Sequence, residues 1–281
     1  MNQIKIKCPA KINLTLEVVN KRPDGFHNIK SIMQMISLYD YLTIKIEHGK
    51  ENKILLTGNS KEIPYNEKNL VYKACDLFLK KAGINDLEIE IYIEKNIPIS
   101  AGLAGGSTNG AGTIYGLNKI LNVFNEAELN ALCAELGSDL NVCLSGGCVL
   151  ATSRGEITKP LPFIEKEITL IKPINLGISA KEAYTKYSLK TEKPQNNMTE
   201  KMTETIKIGS NIEPFLYNDL EYTVFDDYPE LQEIKKQYPN AVMSGSGSTY
   251  FILENLQKTK LDRNYLLINN LKFIQHGICI E

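Results

Sequence analysis

No stretch of this 281-residue chain reaches the roughly 18 uninterrupted apolar residues that a membrane span requires. The segment Met1-Asn2-Gln3-Ile4-Lys5 lacks the apolar centre of a secretory leader. Strong charge of one sign is missing too: 32 Lys and Arg stand against 33 Asp and Glu, for a formal net charge of −1. Proteins whose main partner is nucleic acid present a basic stripe. Here the densest lysine stretch, Lys45 to Lys61, is broken by Glu47 and Glu51 and followed at once by Glu62. These absences argue against a membrane protein and against a nucleic-acid partner. The six cysteines, Cys8, Cys75, Cys133, Cys143, Cys148 and Cys279, form no C-x-x-C pair. Disulfide frameworks belong to shorter secreted chains, so buried reduced thiols in a cytoplasmic protein are expected. No fixed-period repeat occurs.

Two common phosphate-binding signatures are also missing. The P-loop needs G-x-x-x-x-G-K-[ST], and no Gly-Lys pair precedes Ser or Thr. The dinucleotide fingerprint G-x-G-x-x-G does not occur either.

The chain does carry 43% hydrophobic residues, enough for a core of one or two domains. Ile4 to Val19 alternates in polarity with a break near Pro9, and Tyr41 to Glu47 alternates again, as strands do. Lys21-Arg22-Pro23-Asp24-Gly25 reads as a turn. Leu70, Ala74, Leu77 and Phe78 have helical spacing within Asn69 to Ala82, and Gly83 supplies the C-terminal stop. Leu87 to Ile93 reads as a strand, Glu126 to Leu136 as a helix, and Ser138-Asp139 opens a short segment ending at Gly146-Gly147. Val149 to Thr152 and Ile168 to Pro173 are predicted strands; Lys181 to Ser188 and Leu231 to Gln237 are predicted helices. Thr191 to Asn211 is polar and reads as a loop or frayed helix. Strands and helices mix without strict alternation, which favours an α+β class.

The segment Pro98-Ile99-Ser100-Ala101-Gly102-Leu103-Ala104-Gly105-Gly106-Ser107-Thr108 runs straight into a helical pattern with Ala111, Ile114, Leu117 and Leu121. Glycines let backbone amides approach an anion. The first amides of the following helix lack internal partners, and its dipole places partial positive charge there. A triphosphate suits such a loop, with Ser107 and Thr108 available to cap the helix or to touch a phosphate or Mg²⁺; a ligand-free glycine-rich connection is the other reading. Gly110, Gly112 and Gly116 within the helix suggest close packing against a strand. A second glycine-rich turn, Met243-Ser244-Gly245-Ser246-Gly247, precedes the strand Tyr250 to Leu253.

Pro9-Ala10-Lys11-Ile12-Asn13-Leu14, the Pro98 to Thr108 loop and the Met243 to Gly247 turn, in this order and separation, resemble the GHMP kinase superfamily across nearly the whole chain. The match narrows with Arg22-Pro23-Asp24-Gly25-Phe26-His27, Leu136-Gly137-Ser138-Asp139, Ser179 to Tyr184 and Asn218-Asp219-Leu220-Glu221. These are similar to the branch that phosphorylates the 2-hydroxyl of a cytidine-diphosphate-linked methylerythritol in the non-mevalonate route to isoprenoids. Phe26 stands where that branch usually has Tyr, Asn141 where Pro is common, and Ala180 where Thr is frequent.

The resemblance implies two α+β domains, residues 1–157 with a ribosomal-protein-like fold that binds ATP and residues 158–281 with a ferredoxin-like fold. It implies Asp139 as general base or hydroxyl orienter; the bare residue is equally an N-cap. Lys11 would pair with Asp139 or stabilise developing charge, against the alternative of a strand lysine reaching solvent. Asn69, Leu70 and Lys95 match the adenosine pocket, though as bare residues they are a cap, a core residue and a surface charge. The backbone from Pro98 to Thr108 would hold ATP, with Mg²⁺ bridging its phosphates and Ser107 the one candidate ligand. Phe26 and Tyr184 would sandwich cytosine and His27 would read its edge, the alternative being a turn aromatic beside a surface His. Asn13 would bind a methylerythritol hydroxyl, with Gly245 and Gly247 giving amides nearby. Partner classes follow: a small-molecule acceptor, no nucleic acid, no membrane. A mevalonate- or homoserine-type kinase is the alternative reading, followed by a non-catalytic nucleotide-binding protein.

Overall fold

In the computed structural model, which describes residues 2–191 and 196–281, the first strand, β1 (Gln3–Lys21), folds back on β2 (His27–His48) through a turn in which Arg22 N–H donates to the Phe26 carbonyl at 2.8 Å. Gly25 closes that turn at φ +86°, where a side chain would be strained. The β1–β2 register slips between Pro9 and Ala10, because proline cannot donate to the ladder. Before the slip, Lys5 and Lys7 alternate outward against buried Ile4, Ile6 and Cys8. Beyond it, Ala10 to Leu16 are buried on both faces. Lys11 and Asn13 pair across the ladder with Met35 and Met33, and so share the helix-covered face. Ala10, Ile12 and Leu14 turn toward the second sheet.

The chain continues through β3 (Lys53–Gly58), α1 (Leu70–Ala82) and β4 (Leu87–Glu94). Next come α2 (Gly105–Leu121), α3 (Glu126–Leu136), α4 (Asp139–Ser145), β5 (Cys148–Ser153) and β6 (Ile157–Leu161). Asn69 caps α1 through Val71 N–H, and Gly83 ends it at φ +68°. Asn125 and Glu128 form a reciprocal capping box on α3. The helices cover one face of the larger sheet, whose order is β12-β1-β2-β4-β3 with β5 and β6 continuing from β2. The glycines of α2 let it lie against this sheet. A Cβ on Gly112 would meet Cys8 Sγ at 2.5 Å, and one on Gly116 would meet Ile44 at 2.6 Å.

The second half contains β7 (Glu167–Pro173), α5 (Ala180–Leu189), α6 (Met198–Ile208), β8 (Tyr217–Asn218), α7 (Asp219–Val224), α8 (Pro229–Gln237), β9 (Val242–Met243), β10 (Tyr250–Ile252), β11 (Tyr265–Lys272) and β12 (Cys279–Ile280). The smaller sheet is antiparallel in the order β11-β7-β10-β9. A layer of Ala183, Leu220, Val224, Leu231 and Ile234 covers its one face. Ile168, Leu170 and Phe251 meet Ile12, Leu14 and Ile32 between the sheets. Of the polar segment 191–211, residues 192–195 lie outside the described residues and 198–208 form α6. Among the described residues, no helix is long and apolar enough to cross a membrane.

The expected division at 157/158 needs correction. Strand β6 pairs with β5, so the larger sheet extends to Leu161, and β12 returns to it with Ile6 opposite Ile280. Ile157 to Pro162 contains two prolines and shows no strand alternation, so the hairpin has no local signature.

The α2 packing gives a direct test. Gly112→Leu forces a side chain into Cys8, and overpacking of this kind costs about 1–3 kcal/mol. Urea unfolding of that variant is expected to show a lowered midpoint with an unchanged slope; an unchanged midpoint would refute the close packing.

Candidate active site

The loop leading into α2 curls because alternate residues take left-handed backbone: Ser100 at φ +50°, Gly102 at +75° and Ala104 at +58°. Ala104 is the N-cap and offers no side-chain bond; the first helical bond runs from Thr108 N–H to the Ala104 carbonyl at 2.9 Å. The N–H groups of Gly105, Gly106 and Ser107 therefore lack intrahelical partners at the positive end of a 17-residue helix. The expectation that Ser107 or Thr108 caps this helix is corrected, since the helix starts two residues earlier. Thr108 is fully buried with its Oγ1 inside the protein, so it does not reach a ligand. Ser107 does face a cavity.

That loop walls two cavities. The smaller, about 320 Å³, is lined by Asn69, Lys95 and the backbone from Pro98 to Gly106. Leu70 is not in its wall; the Leu70 side chain packs against α2 at Gly110, where a Cβ would meet it at 3.0 Å. Lys95 is no surface charge: it is 8% exposed and paired with the fully buried Asp40. Burial pushes the Asp40 carboxyl up from its ordinary value, against the pull of Lys95 and of the Ile97 and Asn96 N–H groups.

The larger cavity, about 800 Å³, shares Gly102 and Ala104 with the smaller one. At this junction sits the Lys11 ammonium, on a side chain 4% exposed. It donates to Asn13 Oδ1 at 2.7 Å and to the Gly102 carbonyl at 3.1 Å, and lies 3.5 Å from Asp139 Oδ2. Asn13 is held in turn, donating to Ser31 Oγ at 2.8 Å. Asp139 is the first residue of α4 and not its N-cap; Ser138 holds that position without a side-chain bond. The paired Lys11 and Asp139 thus replace both bland alternatives, the solvent-reaching lysine and the capping aspartate.

The second glycine turn presses on the same junction. Ser244 Oγ donates to the Gly102 carbonyl at 3.0 Å, and a Cβ on Gly102 would collide with the Ser244 carbonyl oxygen. Buried Asn218 fixes the turn by donating to the Met243 and Gly245 carbonyls at 2.6 and 2.8 Å. Gly245 lines the larger cavity. Gly247 does not; a Cβ there would meet Met243 Sδ at 2.7 Å, so its role is in the packing of the turn.

Phe26, His27 and Tyr184 line the far end of the larger cavity. Tyr184 stacks on His27, with ring centroids 5.2 Å apart and planes 17° from parallel. Phe26 is 54% exposed and has the Arg154 guanidinium 5.3 Å from its ring centre. His27 Nε2 is 2.9 Å from Ser188 Oγ, and burial pushes the Tyr184 phenol up, so it stays a proton donor. Lys11, Lys21, Arg154 and Lys181 face Asp139 across this cavity, four cations to one carboxylate, which suits a polyanionic guest. Sequence reasoning missed Asp40, Arg154, Asn218 and Ser244 as site residues. Asp40 hid inside a strand pattern and Arg154 inside a hairpin turn; Asn218 and Ser244 fall within the motifs that carry the family resemblance, where nothing local distinguishes a bracing residue from a turn former.

The chain is similar to known proteins over most of its length. The GHMP kinases N terminal domain family matches residues 69–149. The chain is 38% identical over 265 residues to the 4-diphosphocytidyl-2-C-methyl-D-erythritol kinase of Caldanaerobacter subterraneus subsp. tengcongensis, covering 91% of this chain and 90% of that one. It is 40% identical over 253 residues to the enzyme of that name from Syntrophomonas wolfei, 87% of each chain. A crystal structure of 4-(cytidine 5'-diphospho)-2C-methyl-D-erythritol kinase superposes with a TM-score of 0.73 at 30% identity over 89% of this chain and 90% of that one. Homoserine kinase from Cytophaga hutchinsonii, at TM-score 0.76 and 18% identity over 100% of this chain and 98% of that one, shares the fold.

The contact between the glycine turns predicts contrasting alanine effects. Gly102→Ala places a Cβ on the Ser244 carbonyl at a left-handed φ and should cost at least about 1–3 kcal/mol. Gly106→Ala meets nothing within 4 Å and should change stability by less than about 0.5 kcal/mol. Equal urea midpoints for the two variants would contradict the contact.

Proposed function

Because the chain belongs to the 4-diphosphocytidyl-2-C-methyl-D-erythritol kinase family within the GHMP kinases, we propose that it transfers the γ-phosphoryl group of ATP to the 2-hydroxyl of that cytidyl alcohol, in the non-mevalonate route to isoprenoid precursors. The observation that carries this reading is the Lys11 ammonium between the Gly102 carbonyl and the Asp139 carboxylate, where the two cavities meet. ATP occupies the smaller cavity with its phosphates on the Gly105 to Ser107 amides. The acceptor occupies the larger one, with its hydroxyl at Asp139 and its cytosine toward Phe26, His27 and Tyr184.

Phosphoryl transfer asks the protein for alignment and charge stabilisation more than for covalent chemistry. Asp139 orients the acceptor hydroxyl and takes its proton as the new P–O bond forms. Lys11 holds that carboxylate in place and faces the charge gathering on the transferred group. Asn13, anchored by Ser31, binds a hydroxyl of the methylerythritol. Lys21, Arg154 and Lys181 supply positive charge along the wall that takes the diphosphate.

Mg²⁺ supplies neutralisation of the phosphate oxygens when it is bound with the nucleotide. Among the described residues no three His, Cys, Asp or Glu gather into a self-sufficient metal site. A cation that arrives on phosphate and keeps several waters needs few protein ligands, and the Ser107 hydroxyl and the Asp139 carboxylate, which line the same cavity, would be the oxygens of this chain to hold it. The six free thiols support a reducing, cytoplasmic setting.

A mevalonate- or homoserine-type kinase has no use for three aromatic rings and the extra cations at the far end of the cavity. With Mg²⁺-ATP, ADP release is expected to require the cytidyl alcohol and to stay at background with mevalonate or homoserine. Turnover of either of those alone would overturn the substrate assignment. Phe26→Ala should raise KM for the cytidyl alcohol about 5- to 150-fold, the range for loss of one base-stacking ring, with KM for ATP unmoved. An unchanged acceptor KM would remove Phe26 from the cytosine site.

A further inference from the structure

We propose that Asp40 is a positioning residue that latches both ends of the phosphate loop and thereby sets nucleotide affinity; the affinity part rests on the kinase reading above. Asp40 belongs to β2, and its side chain is wholly buried with no exposure to either cavity.

One carboxylate oxygen, Oδ1, accepts the backbone N–H groups of Asn96 at 2.7 Å and Ile97 at 2.8 Å, which fixes the chain just upstream of Pro98. The other, Oδ2, binds the Lys95 ammonium and the Asn109 side-chain nitrogen, the latter at 2.7 Å. The Asn109 amide is assigned with its nitrogen toward Asp40 and the Gly105 carbonyl because two acceptors lie at that end; the opposite orientation would give only a 3.4 Å contact from the Lys95 ammonium to its oxygen. Asn109 thereby ties Asp40 to the first residue of α2, downstream of the loop. A carboxylate offers about four acceptor directions, and all four are used here. The loop between the two ties carries three left-handed residues, Ser100, Gly102 and Ala104, two of them not glycine. Such backbone persists only where its ends are held.

An amide cannot replace this carboxylate. Asp40→Asn keeps the shape but leaves one accepting oxygen, and its NH₂ would face either two backbone N–H donors or the Lys95 ammonium. At least one end of the loop must come loose. Lys11, Asn13 and Asp139 share no hydrogen bond with Asp40, and Lys11 and Ser244 hold the middle of the loop independently of it, so the acceptor side should sense the change less than the nucleotide side.

The test reads the loop and the nucleotide separately. Hydrogen–deuterium exchange on the nucleotide-free protein should show the hydrogen-bonded amides at one end of the loop at least, Asn96 and Ile97 upstream or Thr108 downstream, exchanging at least about tenfold faster in Asp40→Asn, with α3 and the smaller sheet unchanged. Calorimetric titration should show the ATP dissociation constant raised at least about tenfold. Steady-state kinetics should show KM for ATP raised in parallel, by at least about five times the factor by which KM for the acceptor moves. A merely structural role would accelerate exchange throughout and move both KM values together, and that result overturns the proposal. Unchanged loop exchange overturns it as well. If Asp40→Asn does not fold, Asn109→Ala cuts the downstream tie alone and should speed exchange at Thr108, whose N–H closes the first turn of α2 on the Ala104 carbonyl; no change there is equally fatal. Wild-type protein that binds no ATP defeats the kinase reading and the affinity part with it, while the exchange result still decides the latch.

Discussion

A buried ammonium group must find acceptors, and Lys11 finds three that only the complete fold can bring together. Asn13 comes from its own strand, Gly102 from the loop before α2, and Asp139 from the start of α4. Removing one partner of a buried charge is far more costly than the pair is worth, on the order of 3–5 kcal/mol, because the remaining charge stays unsolvated. The lysine therefore does two things at once. It makes correct folding a condition for its own neutralisation, and it sets Asp139 at the border of the two cavities. The register slip at Pro9–Ala10 matters for the same reason, since it begins the stretch of β1 that is buried on both faces and carries Lys11 to the helical side.

Glycine provides the complementary constraint. The phosphate loop and the Ser244 turn approach so closely that the Gly102 carbonyl accepts from both Lys11 and Ser244. Any side chain on Gly102 would occupy the Ser244 carbonyl, which couples the turn of the smaller sheet to the loop of the larger one. Asn218 braces that turn from behind. The wall of the larger cavity carries, besides the Lys11–Asp139 pair, the cations Lys21, Arg154 and Lys181 and the rings of Phe26, His27 and Tyr184, with Arg154 set against Phe26. A guest that combines an alcohol, phosphates and a base matches this set of groups.

Part of this is legible in local chemistry alone. Helix α1 is readable because Asn69 and Gly83 bracket a helical period, and α3 because Gly137 ends an amphipathic run. Lys11, Asp139 and the glycine loop are readable by family resemblance, since nothing in their spacing says that residues 11 and 139 meet. What stays hidden depends on tertiary context. Asp40 sits between Tyr39 and Tyr41 in an ordinary strand pattern, and only the arrival of Lys95 and Asn109 gives it work. Thr108 and Gly247 carry motif identities yet belong to the packed interior, because a one-residue change of position on a helix or turn rotates a group from cavity to core. The ring contacts are tertiary in the same way: His27, which opens β2, stacks on Tyr184, and the exposed Phe26 meets Arg154.

The central claim is that Lys11 and Asp139 act as one unit, and a double-mutant cycle on kcat measures that directly. Lys11→Met and Asp139→Asn should each lower kcat at least about 100-fold while ATP still binds the Asp139 variant. The double variant should then fall within about threefold of the weaker single, because residues that work together are strongly non-additive. Losses that multiply in the double variant would contradict the account.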